Sequence, residues 1–168
     1  NDLNKFNIIT KLSALTLDNN NILEEIKFKV QKSLKNLNVN RLYGLLLHRP
    51  EQLLSSKGEQ IIDALIFLKS KGIISKIGIS IYSPEILGDL IKILDFDIVQ
   101  APFNIFDHRI ADSGWLDKLK NLNIEIHARS IFLQGLLLMK YSELPKEYFR
   151  THQDMISWYQ WQKMHFEV

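Results

Sequence analysis

The sequence predicts an α/β fold: a parallel sheet of about five strands with helices outside, curved as part of a (β/α) barrel. Three observations carry this. Short apolar runs of strand length alternate five times with stretches of helical period. Several runs are apolar at successive positions, as strands buried on both faces are. Each run also gives way at its C-terminal edge to polar side chains: Lys11, His48, Ser80, Gln100 and the pair Arg129–Ser130. Helical crossovers between strands force parallel pairing. A polar ring at the C-terminal strand ends, over an apolar interior, is the layout of a barrel's working face.

The elements follow in order. The first strand is expected over 7–10, with Lys11 after it. Asp18, Asn19 and Asn20 are N-cap candidates for a helix whose apolar stripe is Leu23, Ile26, Val30, Leu34 and Leu37. The second strand spans 42–47 and ends at His48. The next helix carries Ile61, Leu65 and Leu68 inward, and Gly72 stands at its C′ position. The third strand covers 76–79. Ser83-Pro84-Glu85 then reads as N-cap, N1 proline and early acid of a helix with Ile86, Leu90 and Ile93 on its inner face. The fourth strand covers 97–100, Trp115, Leu116 and Leu119 mark a shorter helix, and the fifth strand covers 124–128. Pro145 opens a last helix running through Trp158 and Trp161.

Composition narrows the class. A length of 168 residues suits one domain, taken as 1–168. A complete barrel has eight strands and about 250 residues, so five units read as part of one. The absence of cysteine excludes disulfide scaffolds, thiolate catalysis and thiolate-ligated metal centres. The 21 basic and 19 acidic residues are interspersed, and neither a nucleic-acid nor a membrane partner is expected. No apolar run approaches the ~18–20 residues of a membrane span, and the N-terminus lacks the pattern of a signal peptide. A cytoplasmic location is therefore the expectation. The opening Asn1-Asp2-Leu3, without Met, reads as a processed, trimmed or partial chain. Gly-x-Gly-x-x-Gly and Walker patterns are absent, which disfavours an open doubly wound sheet.

Two residues stand out chemically. A lysine at a barrel mouth, Lys11, forms a Schiff base or lowers a neighbour's pKa; the plain alternative is a solvated strand exit. His48, on the next strand and the same face, suits orienting a substrate carbonyl; its alternative is a structural edge histidine. His108, His127, His152 and His165 show no pair at metal-ligand spacing, so no metal site is expected. Trp158, Tyr159 and Trp161 read as helix packing rather than a cofactor box.

Five motifs in register carry a family resemblance: Asn7-Ile8-Ile9-Thr10-Lys11-Leu12, Leu46-Leu47-His48-Arg49-Pro50, Lys76-Ile77-Gly78-Ile79-Ser80, Val99-Gln100-Ala101-Pro102-Phe103-Asn104, and the segment from Ala128 through Arg129, Ser130 and Gly135 to Leu137. Their order and spacing resemble the aldo/keto reductases over nearly the whole chain. The resemblance implies a parallel (β/α)8 barrel of the aldo/keto reductase type, of which this chain covers strands three to seven. It implies NADPH-dependent reduction of an aldehyde or ketone, with NADH the other cofactor to consider, on a small-molecule carbonyl substrate and in a possible homo-oligomer. Lys11 matches the lysine that lowers the pKa of the proton-donating tyrosine, and His48 the histidine that positions the carbonyl. Ser80 and Gln100 match positions holding the nicotinamide amide, and Ser130 one near the pyrophosphate. The sequence departs from the pattern at Ile81, where asparagine is usual, and at Arg129, where an aromatic residue often stacks on the nicotinamide; Arg129 is taken as a cofactor-binding residue that stacks there as a planar cation. By this alignment the family's catalytic tyrosine and aspartate fall before Asn1 and its phosphate-gripping residues after Val168. None of Tyr43, Tyr82, Tyr141, Tyr148 or Tyr159 takes the tyrosine's place. The chain by itself is accordingly expected to turn over poorly. The alternatives are a non-catalytic cofactor-binding or regulatory relative and a Schiff-base lyase using Lys11.

Overall fold

Strand and helix alternate through a computed structural model that describes residues 5–18, 21–143 and 153–165. The strands are β1 (Ile9–Leu12), β2 (Leu42–Leu47), β3 (Ile74–Ser80), β4 (Ile98–Pro102) and β5 (Glu125–Arg129). They form one sheet in the order β1-β2-β3-β4-β5, and every neighbouring pair is parallel. The crossovers carry α1 (Ile22–Leu37), α2 (Gly58–Ser70), α3 (Leu87–Leu90), and the pair α4 (Arg109–Asp112) and α5 (Trp115–Asn121); α6 (Gln153–His165) comes last. No helix among the described residues is long and apolar enough to cross a membrane.

The helices cover one face of the sheet. Leu12, Leu45, Leu47, Ile77, Ile79, Val99 and Ala101 point into the core shared with Ile26, Val30, Leu65 and Leu68. Alternation along the strands sends the intervening residues to the opposite, concave face. There large and small side chains interlock. A Cβ added at Gly44 would meet Ile98 and Ile9, and one at Gly78 would meet Leu46 and the Ile98 backbone. Leu46 and Ile98 are fully buried in this layer. Large-against-small packing across alternate strands is how a barrel interior is filled.

α1 begins one residue later than the expected caps. Asn21 Oδ1 accepts from the Glu24 N–H at 3.3 Å, which is the reach from Ncap to N3. Asp18 precedes the helix, and Asn19 and Asn20 lie outside the described residues. Ile22, Ile26 and Val30 are its buried stripe, and Leu37 turns outward. α2 buries Ile61, Leu65 and Leu68 as expected. Gly72 stands beyond it at φ 67°, where the N–H groups of Gly72 and Ile73 close onto the Lys69 and Leu68 carbonyls.

The third helix is shorter than its sequence suggests. Pro84–Ile86 form a 3-10 turn, and only one α turn, Leu87–Leu90, follows. Ser83 holds the extended cap conformation without a capping bond from its side chain. The tighter winding of the 3-10 turn shifts the phase. Leu87, Leu90 and Leu94 are buried and Ile93 is exposed, which corrects the expected inner face.

Strand limits also move. β1, β4 and β5 lie one or two residues later than expected, and β3 extends in both directions. Lys11, Ser80 and Arg129 therefore belong to the strands themselves, Gln100 lies inside β4 rather than at its end, and only His48 and Ser130 follow their strands. A strand ends where its backbone bonds end, and an inward polar side chain does not interrupt a ladder. In α6 Tyr159 is buried and its hydroxyl donates to the Leu136 carbonyl at 2.5 Å, while the rings of Trp158 and Trp161 stack 5.2 Å apart. The expected start of this helix at Pro145 lies outside the described residues.

Candidate active site

The C-terminal ends of the five strands form a mouth at one edge of the concave face. Lys11 is registered against Leu46, and His48 lies two residues further along the same face of β2. The His48 N–H donates to the Leu12 carbonyl at 3.0 Å, carrying the pairing past the formal end of both strands. The loops above are clasped to each other: Gln52 accepts from the Leu15 N–H at 2.9 Å and donates to its carbonyl at 2.8 Å. Lys11 and His48 thus share an end and a face on neighbouring strands. A cavity of about 330 Å³ lined by Lys11 follows the unpaired edge of β1 against Phe28 and Lys32 of α1, and His48 is not among its walls.

Ser80 and Gln100 are direct register partners on β3 and β4. The Ile81 N–H donates to the Gln100 carbonyl at 2.9 Å, holding the two strand ends together. Ser80 is buried and Gln100 half-buried. Among the described residues, the side chains of Lys11, His48, Ser80 and Gln100 make no hydrogen bond. Most buried polar groups are paired, so the unpaired hydroxyl of buried Ser80, with half-buried Gln100 and His48 and exposed Lys11 along the same strand ends, is hydrogen-bonding capacity available to a ligand.

Arg129 ends β5 opposite Pro102. Its Nη2 donates to the Ile81 carbonyl at 3.1 Å and its Nη1 to Ser130 Oγ at 3.4 Å; its Cζ lies 4.6 Å from the centre of the Tyr82 ring. Its Nε is buried without a partner. Lys11 is held below the usual lysine value, first by burial and then by the Arg129 charge. Ser130 takes φ 57°, and its carbonyl accepts from Asn104 Nδ2 at 3.2 Å.

Sequence reasoning missed the residues that brace this mouth. Asn104 is buried, and its Oδ1 accepts from the N–H groups of Phe106 and Asp107 at 2.8 and 3.1 Å. Asp107 grips Arg109 through two bonds of 2.9 and 2.8 Å, which lower the Asp107 pKa and raise that of Arg109. Arg109 Nη2 also holds the Tyr82 carbonyl at 3.0 Å. At the lower end of the concave face, Glu125 accepts from both Tyr43 and Lys76 and lies 3.4 Å from His127 Nε2. Alternation within the strand runs was the available signal for Lys76 and Glu125. For Asn104 and Asp107, in a loop, there was none.

Comparison with known proteins agrees with this geometry. A model of the aldo/keto reductase family matches residues 2–166. A Bacillus subtilis protein described as the uncharacterized oxidoreductase YqkF is 30% identical over 115 residues, 68% of this chain and 36% of that protein. The apo structure of the aldo-keto reductase AKR11C1 from Bacillus halodurans superposes with a TM-score of 0.67 at 22% identity, over 85% of this chain and 45% of the other. An aldo/keto reductase from Klebsiella pneumoniae, solved in complex with NADP and acetate, gives 0.64 at 17% identity over 95% and 52%. The chain thus spans about half the length of these structures, and its five-stranded sheet corresponds to part of their (β/α)8 barrel.

Proposed function

The chain belongs to the aldo/keto reductase family, and we propose that it contributes the nicotinamide-holding and carbonyl-positioning groups of an NADPH-dependent reductase of small aldehydes or ketones. The observation that carries this reading is the row of unpaired polar side chains on the concave face at the strand ends. Ser80 and Gln100 stand side by side with a hydroxyl and a carboxamide, which between them donate to and accept from an amide. That donor set fits the carboxamide of a nicotinamide. When bound, the reduced cofactor supplies the hydride to the carbonyl carbon and is left oxidised, while the carbonyl oxygen takes up a proton.

In this reading His48 donates from its imidazole to the carbonyl oxygen and fixes its direction. Lys11 presents an ammonium whose charge stabilises negative charge developing beside it, including that on a neighbouring proton-donating hydroxyl. Leu46, the register partner of Lys11, and Ile98 are fully buried, and an apolar surrounding of this kind strengthens both interactions. NADP in the Klebsiella relative supports the choice of NADPH, and NADH is the comparator.

The test uses the protein at its natural length. NADPH and NADH are titrated by fluorescence, and reduction of a nitrobenzaldehyde is followed by cofactor absorbance. Ser80→Ala and Gln100→Ala are each expected to weaken cofactor binding about 3–10-fold, the equivalent of one hydrogen bond. His48→Ala and Lys11→Met are expected to lower kcat about 10²-fold or more. Failure of both cofactors to bind, or turnover unchanged in both His48→Ala and Lys11→Met, overturns the proposal.

A further inference from the structure

We infer that Arg129 makes this mouth discriminate between the two redox states of the nicotinamide cofactor, favouring the neutral reduced ring and disfavouring the cationic oxidised one. The inference rests on the proposed reading of Ser80 and Gln100 as the amide-holding pair.

Geometry places the charge over that pair. Arg129 belongs to β5, and the carbonyl it bonds, Ile81, follows Ser80 on β3. β4 lies between these strands, so the side chain crosses the end of β4 just beyond Gln100. A ring whose amide is held by Ser80 and Gln100 therefore lies beside the guanidinium.

The charge there is not neutralised. Arginine supplies a delocalised cation that serves as a fixed positive charge. Its contacts are a carbonyl, a hydroxyl and the face of Tyr82, none of them anionic. Among the described residues it has no carboxylate partner. Asp107, which feels its charge, is committed to Arg109. The same charge contributes, after burial, to the lowered pKa of Lys11. The position is also rigid: the Tyr82 ring covers the guanidinium, and Arg109 holds the Tyr82 backbone.

A fixed cation beside the ring repels a pyridinium and has no monopole interaction with a dihydropyridine. The adenosine and phosphate portions are the same in both forms, so the ratio of their affinities isolates the ring charge.

The experiment measures Kd for NADPH by fluorescence and for NADP+ by displacement, on the natural-length protein and on Arg129→Met and Arg129→Lys. NADH and NAD+ are run in parallel. The unsubstituted protein is expected to bind NADPH at least about tenfold tighter than NADP+, equivalent to ~1.4 kcal/mol. The ratio is expected to collapse towards one in Arg129→Met and to be largely retained in Arg129→Lys. Equal affinities in the unsubstituted protein overturn the inference while leaving the amide-holding reading intact. A ratio that survives Arg129→Met, or equal weakening of both forms, also overturns it. Loss of all cofactor binding in the unsubstituted protein overturns the function proposal and this inference with it. Because the unsubstituted ratio and Arg129→Lys are informative by themselves, the test stands even if Arg129→Met does not fold.

Discussion

Gly78→Ala tests the packing that supports the site. Its new Cβ would lie 2.2 Å from Leu46 Cδ2, 2.9 Å from the Ile98 carbonyl oxygen and 3.0 Å from Ile98 Cβ. Carbon atoms pack at about 3.5–4.0 Å, so Leu46 would have to retreat by more than ~1 Å. It is fully buried and has little space to do so. The Ile98 oxygen is backbone, in register with Gly78, and moves only if β3 and β4 part. Overpacking of this kind costs about 1–3 kcal/mol. Reduced freedom of the unfolded chain returns ~0.4–1 kcal/mol. A net loss of about 1–2 kcal/mol is expected in urea unfolding. Gly44→Ala meets only the side chains of Ile98 and Ile9, and is expected to cost less. Leu46→Ala alone should cost about 2–5 kcal/mol. Combined with Gly78→Ala it should fall short of additivity by ~1 kcal/mol, because the smaller side chain relieves the nearest clash. A Gly78→Ala variant as stable as the parent, or a strictly additive double variant, would refute the interlocked layer.

Three further outcomes follow from the mouth and the lower network. Lys11 titrates below its unfolded value, so its charge opposes folding at neutral pH, and stability rises as pH passes up through its folded pKa. Lys11→Met is thus expected to leave neutral-pH stability equal or higher while activity falls, checked by parallel melts and turnover. Asn104→Ala removes the bonds to Phe106, Asp107 and Ser130 from a buried site, and about 1–3 kcal/mol should be lost in chemical unfolding. Glu125 titrates below its unfolded value, chiefly through the Lys76 bond. Its stabilisation is present above the normal carboxylate range and lost as pH falls through its folded pKa. Glu125→Gln should flatten the acid limb of a stability–pH profile.

The barrel topology was legible because its signal is one-dimensional: apolar runs at strand spacing, and a polar residue where each meets the mouth. The positions of Lys11, His48, Ser80, Gln100 and Arg129 at or just past the C-terminal strand ends were recognisable in that way. The strand limits were less legible, because Lys11 and Gln100 continue their ladders through the backbone while their side chains look like terminators. The third helix was misjudged because Pro84 favours a 3-10 turn as readily as an α-helical one, and the difference rotates Ile93 outward. The Tyr43–Lys76–Glu125 network was hidden for another reason. Tyr43 and Glu125 are 82 positions apart, and only the register of four strands brings them together.

That network also bears on why the proposed chemistry is assigned to one end of the concave face. Lys76 and Lys11 are both inward-facing lysines, but their environments are opposed. Lys76 bonds Glu125, sits over the Tyr43 ring and is held well above the usual lysine range. Its charge is already satisfied, and little is gained by turning it towards a reacting group. Lys11 has no carboxylate partner among the described residues, is partly desolvated and faces a second cation. Its ammonium gains most from negative charge arising next to it, as on an oxygen taking up electron density during reduction. Leu46 and Ile98, both fully buried, share the register row of Lys11, and Ile9 shares that of Lys76, so apolar side chains flank each lysine on the sheet. The same fold thus satisfies the charge of Lys76 and leaves Lys11, on the strand next to the one that His48 follows, without a carboxylate partner among the described residues.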